Sequence, residues 1–280
     1  MSIYLPSFVE MLAVARLHGR KSKAPERWNN IAGYWPLAEG GGSIAHDLAG
    51  YGNHGSLINM EPGTDWPVGK IGQHLEFGGT NEYVSVPYSP VLQPTYSLTV
   101  STWIRTTNDS SAGLVARRAA IGRRSHLLNK SSGSDQAYIY LSTDGVHWAT
   151  ILGGGPALYD NEWHQLAVSW QSGSAAHLYV DGSKVASSGN ITGPLYASPL
   201  NEGLVIGVGY NAYMIGGIGP TAQWNRGLSS PEIQQLHADP HCMVTLRSRV
   251  FPAAAVTSAI MNQLQTANLG ADLYNGALSI

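Results

Sequence analysis

A single cysteine, Cys242, rules out an intramolecular disulfide framework and any zinc cluster built on thiolates. Charge is scarce too. Asp, Glu, Lys and Arg make up 12% of the chain, roughly half the usual share. Sixteen basic and 18 acidic side chains leave a formal net charge of -2. That balance excludes a strongly basic nucleic-acid binder and an acidic disordered tail. It also excludes a coiled coil, which needs far more Glu, Lys and Leu. No apolar run reaches the roughly 18 residues of a membrane-spanning helix. No repeat recurs at a fixed period of about 20–50 residues, so a propeller or solenoid is not expected.

What the chain does have is glycine, tyrosine and tryptophan: 33, 14 and 8 residues in 280, against 3 Phe. With so little charge, its surface must be covered by Ser, Thr, Asn, Gln, Gly and Tyr. A neutral, polar, aromatic surface suits glycan contact or a multi-subunit assembly. It suits a free monomer less, because little like-charge repulsion keeps copies apart.

Three regions follow from the pattern. In residues 1–30, the apolar run from Phe8 to Ala15 is interrupted by Glu10, and Arg16, Arg20, Lys21 and Lys23 follow it. That order is wrong for a secretory signal, so none is expected. Pro6, Gly19 and the shared face of Phe8, Met11, Leu12 and Ala15 predict a short helical arm. Phe8, Met11 and Leu12 are its candidate partner-binding residues, since few helices this short stand alone. Residues 241–280 form a tail whose stretch from Val250 to Ile280 has one charged residue, Asp272. Such a tail is expected to be held by intersubunit contacts.

Residues 31–240 read as short alternating runs punctuated by Gly, Asn, Asp, Ser and Pro. Examples are Tyr83–Val86, Ser97–Ile104, Ala137–Leu141 and His164–Trp170. His177–Val180 closes on Asp181–Gly182, a two-residue hairpin signal because both turn positions need positive φ. Period-two alternation without a long helical interlude predicts an all-β antiparallel sandwich or jelly roll. One helix ends the region: Ser229 caps it, Pro231 sits in its first turn, Ile233, Leu236 and His237 share a face, and Asp239–Pro240 stop it.

Seven motifs stand in order along this region. They are Gly33–Tyr34–Trp35–Pro36–Leu37; Asp47 to Gly55; Leu75 to Val84; Leu98 to Ile104; Glu162 to Trp170; Leu178–Tyr179–Val180–Asp181–Gly182; and Trp224 to Ser229. Their order and spacing resemble the laminin-G-like jelly-roll branch of the concanavalin A-like lectin/glucanase superfamily. The resemblance implies a sandwich of two antiparallel sheets. It brings three functional classes into view: glycan binding, structural roles that include phage proteins, and glycoside hydrolysis.

Hydrolysis needs two carboxylates flanking the scissile bond, and no Glu-x-Asp-x-x-Glu strand occurs. The acids are scattered beside turn residues, where Asp takes backbone donors, so no catalytic residue is assigned. No His-Glu-x-x-His pair occurs, and no glycine loop continues into Gly-Lys-Ser/Thr. Relatives often hold calcium with an acid just after a Gly–Ile pair in the last strand. Here Gly217–Ile218 is followed by Gly219–Pro220. No metal and no cofactor are expected.

Two groups remain. Arg117, Arg118, Arg123 and Arg124 lie within eight residues and hold a quarter of all Lys and Arg. They are candidate contacts for an acidic partner. Trp66, Trp148, Tyr159, Tyr210 and Tyr213 stand in Gly-, Asn- or Pro-rich surroundings. They are candidate glycan platforms, because aromatic faces pack on sugar C–H groups. The leading expectation is a non-enzymatic structural and interaction protein of a larger assembly. The type expected is a virion component (a phage capsid decoration, fibre or tail protein) made in the host cytoplasm, with surface glycans as a further ligand. Its partners would be copies of itself or a capsid or tail protein, with neither nucleic acid nor membrane. The alternatives are a stand-alone carbohydrate-binding adhesin domain and, behind it, a glycoside hydrolase.

Overall fold

Residues two apart in a strand point to the same side, and the alternating runs obey that rule. The computed structural model describes residues 9, 11, 29–118, 124–132, 136–153, 155–197, 199, 201–210 and 212–243, with the backbone alone for Arg118, Arg124 and Leu152. All of them fall in one unit, Met1–Val244. Phe8, Leu12, Arg123 and the tail beyond Met243 lie outside the described residues.

Two antiparallel sheets form. The first contains β1 (Ile31–Trp35), β6 (Leu75–Gly78), β8 (Ser97–Arg105), β13 (His164–Gln171), β14 (Ser174–Val180), β15 (Ser183–Ile191) and β19 (Ile215–Trp224). Its order is β1-β19-β8-β13-β14-β15, with β6 pairing the other half of β19. The second contains β2 (Ile44–Ala45), β3 (Gly55–Ile58), β7 (Tyr83–Val86), β9 (Ala112–Arg118), β10 (Arg124–Lys130), β11 (Ala137–Leu141), β12 (Ala149–Gly153) and β16 (Leu204–Ile206). Its order is β12-β11-β10-β9-β16-β7-β3-β2. Two small hairpins stand apart: β4 (Val68–Gly69) with β5 (Gly72–Gln73), and β17 (Val208–Gly209) with β18 (Ala212–Tyr213). The all-β sandwich jelly roll expected from the sequence is the observed fold.

Between the sheets lies the main core, where Trp35, Phe77, Leu98, Leu128, Ile139, Leu166, Trp170 and Leu178 are all buried. Each large side chain removed from water contributes about 1.5–3 kcal/mol. A second apolar cluster sits on the outer face of the first sheet. There Tyr34, Ala222, Ser101, Ala167 and Tyr179 line up across five strands. Helix α1 (Ser230–Ala238) covers this row with Ile233 and Leu236, joined by Trp224, Leu228, Cys242 and Met243. The start of α1 is fixed by Glu232, whose carboxylate accepts the Ser229 N–H and hydroxyl at 2.8 Å each. At the other edge, Asp181 (φ 49°) and Gly182 (φ 73°) make the expected hairpin turn.

Met11 belongs to this second cluster and is 1% exposed. This corrects its assignment as a partner-binding residue: its side chain packs on its own sheet, which leaves nothing to offer a neighbour.

Asp47 organises the first loop. It accepts the N–H groups of Tyr34 (3.0 Å), Ala49 (2.8 Å) and Asn53 (3.0 Å). Asn53 in turn donates to Ala32 O and accepts the Trp35 indole N–H at 2.9 Å. The motif from Asp47 to Gly55 is therefore a clamp on β1. Asp47→Ala leaves three backbone donors without their acceptor. We expect a loss of about 2–4 kcal/mol, read as a lower urea midpoint with an unchanged slope.

Candidate functional site

With the first sheet covered, the surface to examine is the outer face of the second. One row across it runs Ser56, Ser85, Val205, Ala116, Leu127, Tyr140 and Thr150. The next runs Gly113, Asn129, Tyr138 and Leu152. On β11, Ala137, Ile139 and Leu141 fill the core, so Tyr138 and Tyr140 point outward and are half-buried. Tyr138 meets Tyr140 edge to face at 5.1 Å between centroids, and Tyr140 meets Trp148 at 5.7 Å. Edge-to-face pairs at these distances are the favoured geometry for aromatic rings. The result is one continuous aromatic strip.

The turn after β11 presents Trp148. Asp144 accepts the N–H of Val146 (2.8 Å) and of His147 (2.7 Å) and pairs with His147 Nδ1 at 2.6 Å. Ser142 Oγ accepts the Gly145 N–H at 2.8 Å. The His147 ring, and after it the two backbone donors, hold the Asp144 carboxyl well below the usual range.

The hairpin of β17 and β18 lies over β9 and β10. A side chain at Gly113 would overlap the Gly209 backbone, and one at Gly209 would strike Leu127 and approach Asn129 Oδ1. Glycine stands at both positions because two backbones pass there in contact. Leu127 and Asn129 are buried under this hairpin, and Asn129 Oδ1 accepts no hydrogen bond. At its tip Tyr210 is 69% exposed, with φ 45°.

Beyond the hairpin, Thr106, Asn108, Ser110, Ala112, Lys130, Tyr213, Met214 and Ile215 line a shallow surface cleft. Lys130 is buried there. Its Nζ donates to Ser110 O (3.1 Å) and Ser131 O (3.2 Å) and lies 5.5 Å from the Tyr159 ring centre.

The predicted residues thus separate. Tyr213 lines the cleft beside Lys130, Tyr159 lies against the Lys130 amine, Tyr210 tips the hairpin, and Trp148 joins the strip. Trp66 is corrected: it is 6% exposed and its indole N–H donates to Gly42 O at 3.0 Å, so it packs a loop and offers no platform. Arg117 is corrected as well. It is 3% exposed and donates to Leu92 O at 2.8 Å, with its guanidinium 5.4 Å from the Tyr88 ring centre. It points into the molecule, because its side of β9 faces the other sheet. The side chains of Arg118 and Arg124 are outside the described residues. Tyr138 and Tyr140 were missed, although the alternation of their strand marks both as outward.

Several carboxylates are committed to partners. Glu76 pairs with His74 (3.2 Å) and Arg105 (3.0 Å), Glu162 with Lys70 (2.7 Å), and Glu232 with Arg226 (2.6 Å). Among the described residues, no group of three or more His, Cys, Asp or Glu could hold a metal ion. No helix there is long and apolar enough to cross a membrane.

Residues 77–234 match the laminin G profile of the concanavalin A-like lectin/glucanases superfamily. The match covers more than half of the chain, and the chain belongs to this family. No curated protein matches it. Among solved structures, it is similar to the binding domain of Paraclostridial mosquitocidal protein 1. That likeness has a TM-score of 0.59 and 14% identity, over 75% of this chain and 52% of that one. The receptor-binding domain of botulinum neurotoxin C/D mosaic serotype gives 0.57 and 13%, over 75% and 51%. This chain covers about half the length of each toxin domain. Domain 4 of AbnA, an extracellular arabinanase from Geobacillus stearothermophilus, in complex with arabinotriose, gives 0.53 and 17%, over 74% and 98%. At these identities the likeness is one of fold.

The contact between Gly113 and Gly209 yields a prediction. Gly113→Ala must displace the hairpin. Overpacking of this kind costs about 1–3 kcal/mol, and we expect a lower melting temperature with faster amide exchange in residues 208–213.

Proposed function

We propose that the chain is a carbohydrate-binding module without catalytic activity of its own, and that it works as the recognition part of a larger structural assembly such as a virion. The observation that carries the reading is the aromatic strip Tyr138–Tyr140–Trp148 on the open sheet face. Ring faces and edges gain from sugar C–H groups, while Tyr138, Tyr140 and Thr150 offer hydroxyls to sugar hydroxyls. The low charge of the chain supports a neutral ligand. So does the ligand bound in the arabinanase domain, arabinotriose. The assembly part rests on composition: a neutral surface favours association.

The test is binding of the full chain to a glycan array, followed by calorimetry with arabinotriose and linear neutral polysaccharides. Tyr140→Ala and Trp148→Ala should each weaken binding about tenfold, equivalent to about 1.4 kcal/mol. Tyr51→Ala, at an exposed ring elsewhere, should not. No reducing ends should appear on long incubation. Absence of binding to every glycan, or equal binding by all three variants, would reject the reading.

A further inference from the structure

His164, at the start of β13, has a carboxylate at each ring nitrogen. Nδ1 lies 2.7 Å from Asp181 Oδ2, and Nε2 lies 3.2 Å from Asp160 Oδ1. A carboxylate only accepts. A neutral imidazole donates from one nitrogen and presents a lone pair at the other, whereas imidazolium donates from both. Only the protonated ring can satisfy both carboxylates at once. We propose that His164 is a pH-operated clasp that holds residues 155–163 closed while its ring is protonated and lets them open when the proton leaves.

The two sides of the clasp are unequal. Asp181 is fixed apart from the histidine, since its Oδ1 accepts the Gln165 N–H at 2.9 Å. Its other neighbour is His237 on α1, with Nδ1 at 3.9 Å and the ring stacked on Trp103 at 5.5 Å. Loss of one proton therefore leaves the Nδ1–H with Asp181 and turns a bare lone pair on Nε2 toward Asp160. Asp160 otherwise accepts the Glu162 N–H, which belongs to its own loop. Of the other charged groups nearby, Glu162 is paired with Lys70, and Arg105 on β8 with Glu76. Neither pair replaces the lost bond. Asp160 follows Tyr159, whose ring lies over the Lys130 amine, so an opened loop draws that ring away from the amine.

The titration agrees in sign. Burial works against a charged His164, but Asp181 and then Asp160 raise its pKa above the ordinary 6.5. Burial likewise opposes ionised Asp160 and Asp181. It is outweighed at Asp160 by the Glu162 N–H and His164, and at Asp181 by His164 and the Gln165 N–H, so both carboxyls sit below 3.8. A raised histidine pKa stabilises the closed form fully below about 6.5 and ceases to do so as pH rises through the shifted value. The lowered carboxyls keep the clasp shut down through the ordinary carboxylate range.

The experiment is independent of any sugar. In the full chain, the His164 ring is titrated by NMR between pH 4 and 9. Amide exchange of residues 155–163 is followed over the same range and corrected for intrinsic rates. We expect a pKa above 6.5 and a fall in loop protection across it, tenfold for each unit by which Asp160 raises that pKa. Asp160→Asn, whose amide can donate to the neutral ring, should lower the pKa and abolish the inflection in exchange. His237→Gln should keep both. An unchanged His164 pKa in Asp160→Asn would overturn the proposal, as would an exchange profile with no inflection or an inflection lost only in His237→Gln.

Discussion

The burial of Tyr34, Trp224, Ile233 and Leu236 on the outside of the first sheet decides which surfaces this molecule can use. A sandwich has two outer faces, and an apolar row on one of them must be covered. Here the chain does so after the last strand, where α1 packs Ile233 and Leu236 onto that row. Met11 and the pair Cys242–Met243 complete the cover. The large flat face so lost leaves the second sheet and the loop end as the ground for recognition. Even there the surface is divided, because the hairpin of β17 and β18 lies on β9 and β10 through the paired glycines 113 and 209.

Local signals were legible in the sequence. The Asp181–Gly182 turn, the capped helix and the alternating strands each rest on contacts between residues close along the chain. Burial of a loop side chain is a different kind of fact. Trp66 stands beside Pro and Gly as an exposed ring would, but a carbonyl 24 residues away accepts its N–H. Arg117 read as part of a solvated basic run, yet the pleat of β9 turns it toward Leu92. Tyr138 and Tyr140 were readable by period alone, since one side of Ala137–Leu141 is aliphatic and the other aromatic. What the sequence could not supply was which sheet face would stay open. That depends on where α1 lands.

Two of the sequence motifs turn out to be clamps. Asp47, Asn53 and Trp35 join the first loop to β1, and His164 joins the start of β13 to Asp181 in the turn after β14. Asp47, Asp181 and His164 are side chains of the kind expected in a catalytic site. Their hydrogen bonds are nevertheless directed at backbone donors and at one another. A carboxylate that accepts several N–H groups is held in place.

The low charge of the chain follows the same division. Carboxylates with local partners such as these add little to the long-range field. The open strip is left with rings, hydroxyls and amides. Affinity built from such groups comes from area removed from water and from short hydrogen bonds, both of which act only on contact. Charge steering, by contrast, reaches about 8–10 Å before salt screens it. A neutral face of this type therefore selects by shape and ring placement after collision. The precision of that placement falls to the turn from Ser142 to His147, where one aspartate holds two backbone donors and a histidine directly before Trp148.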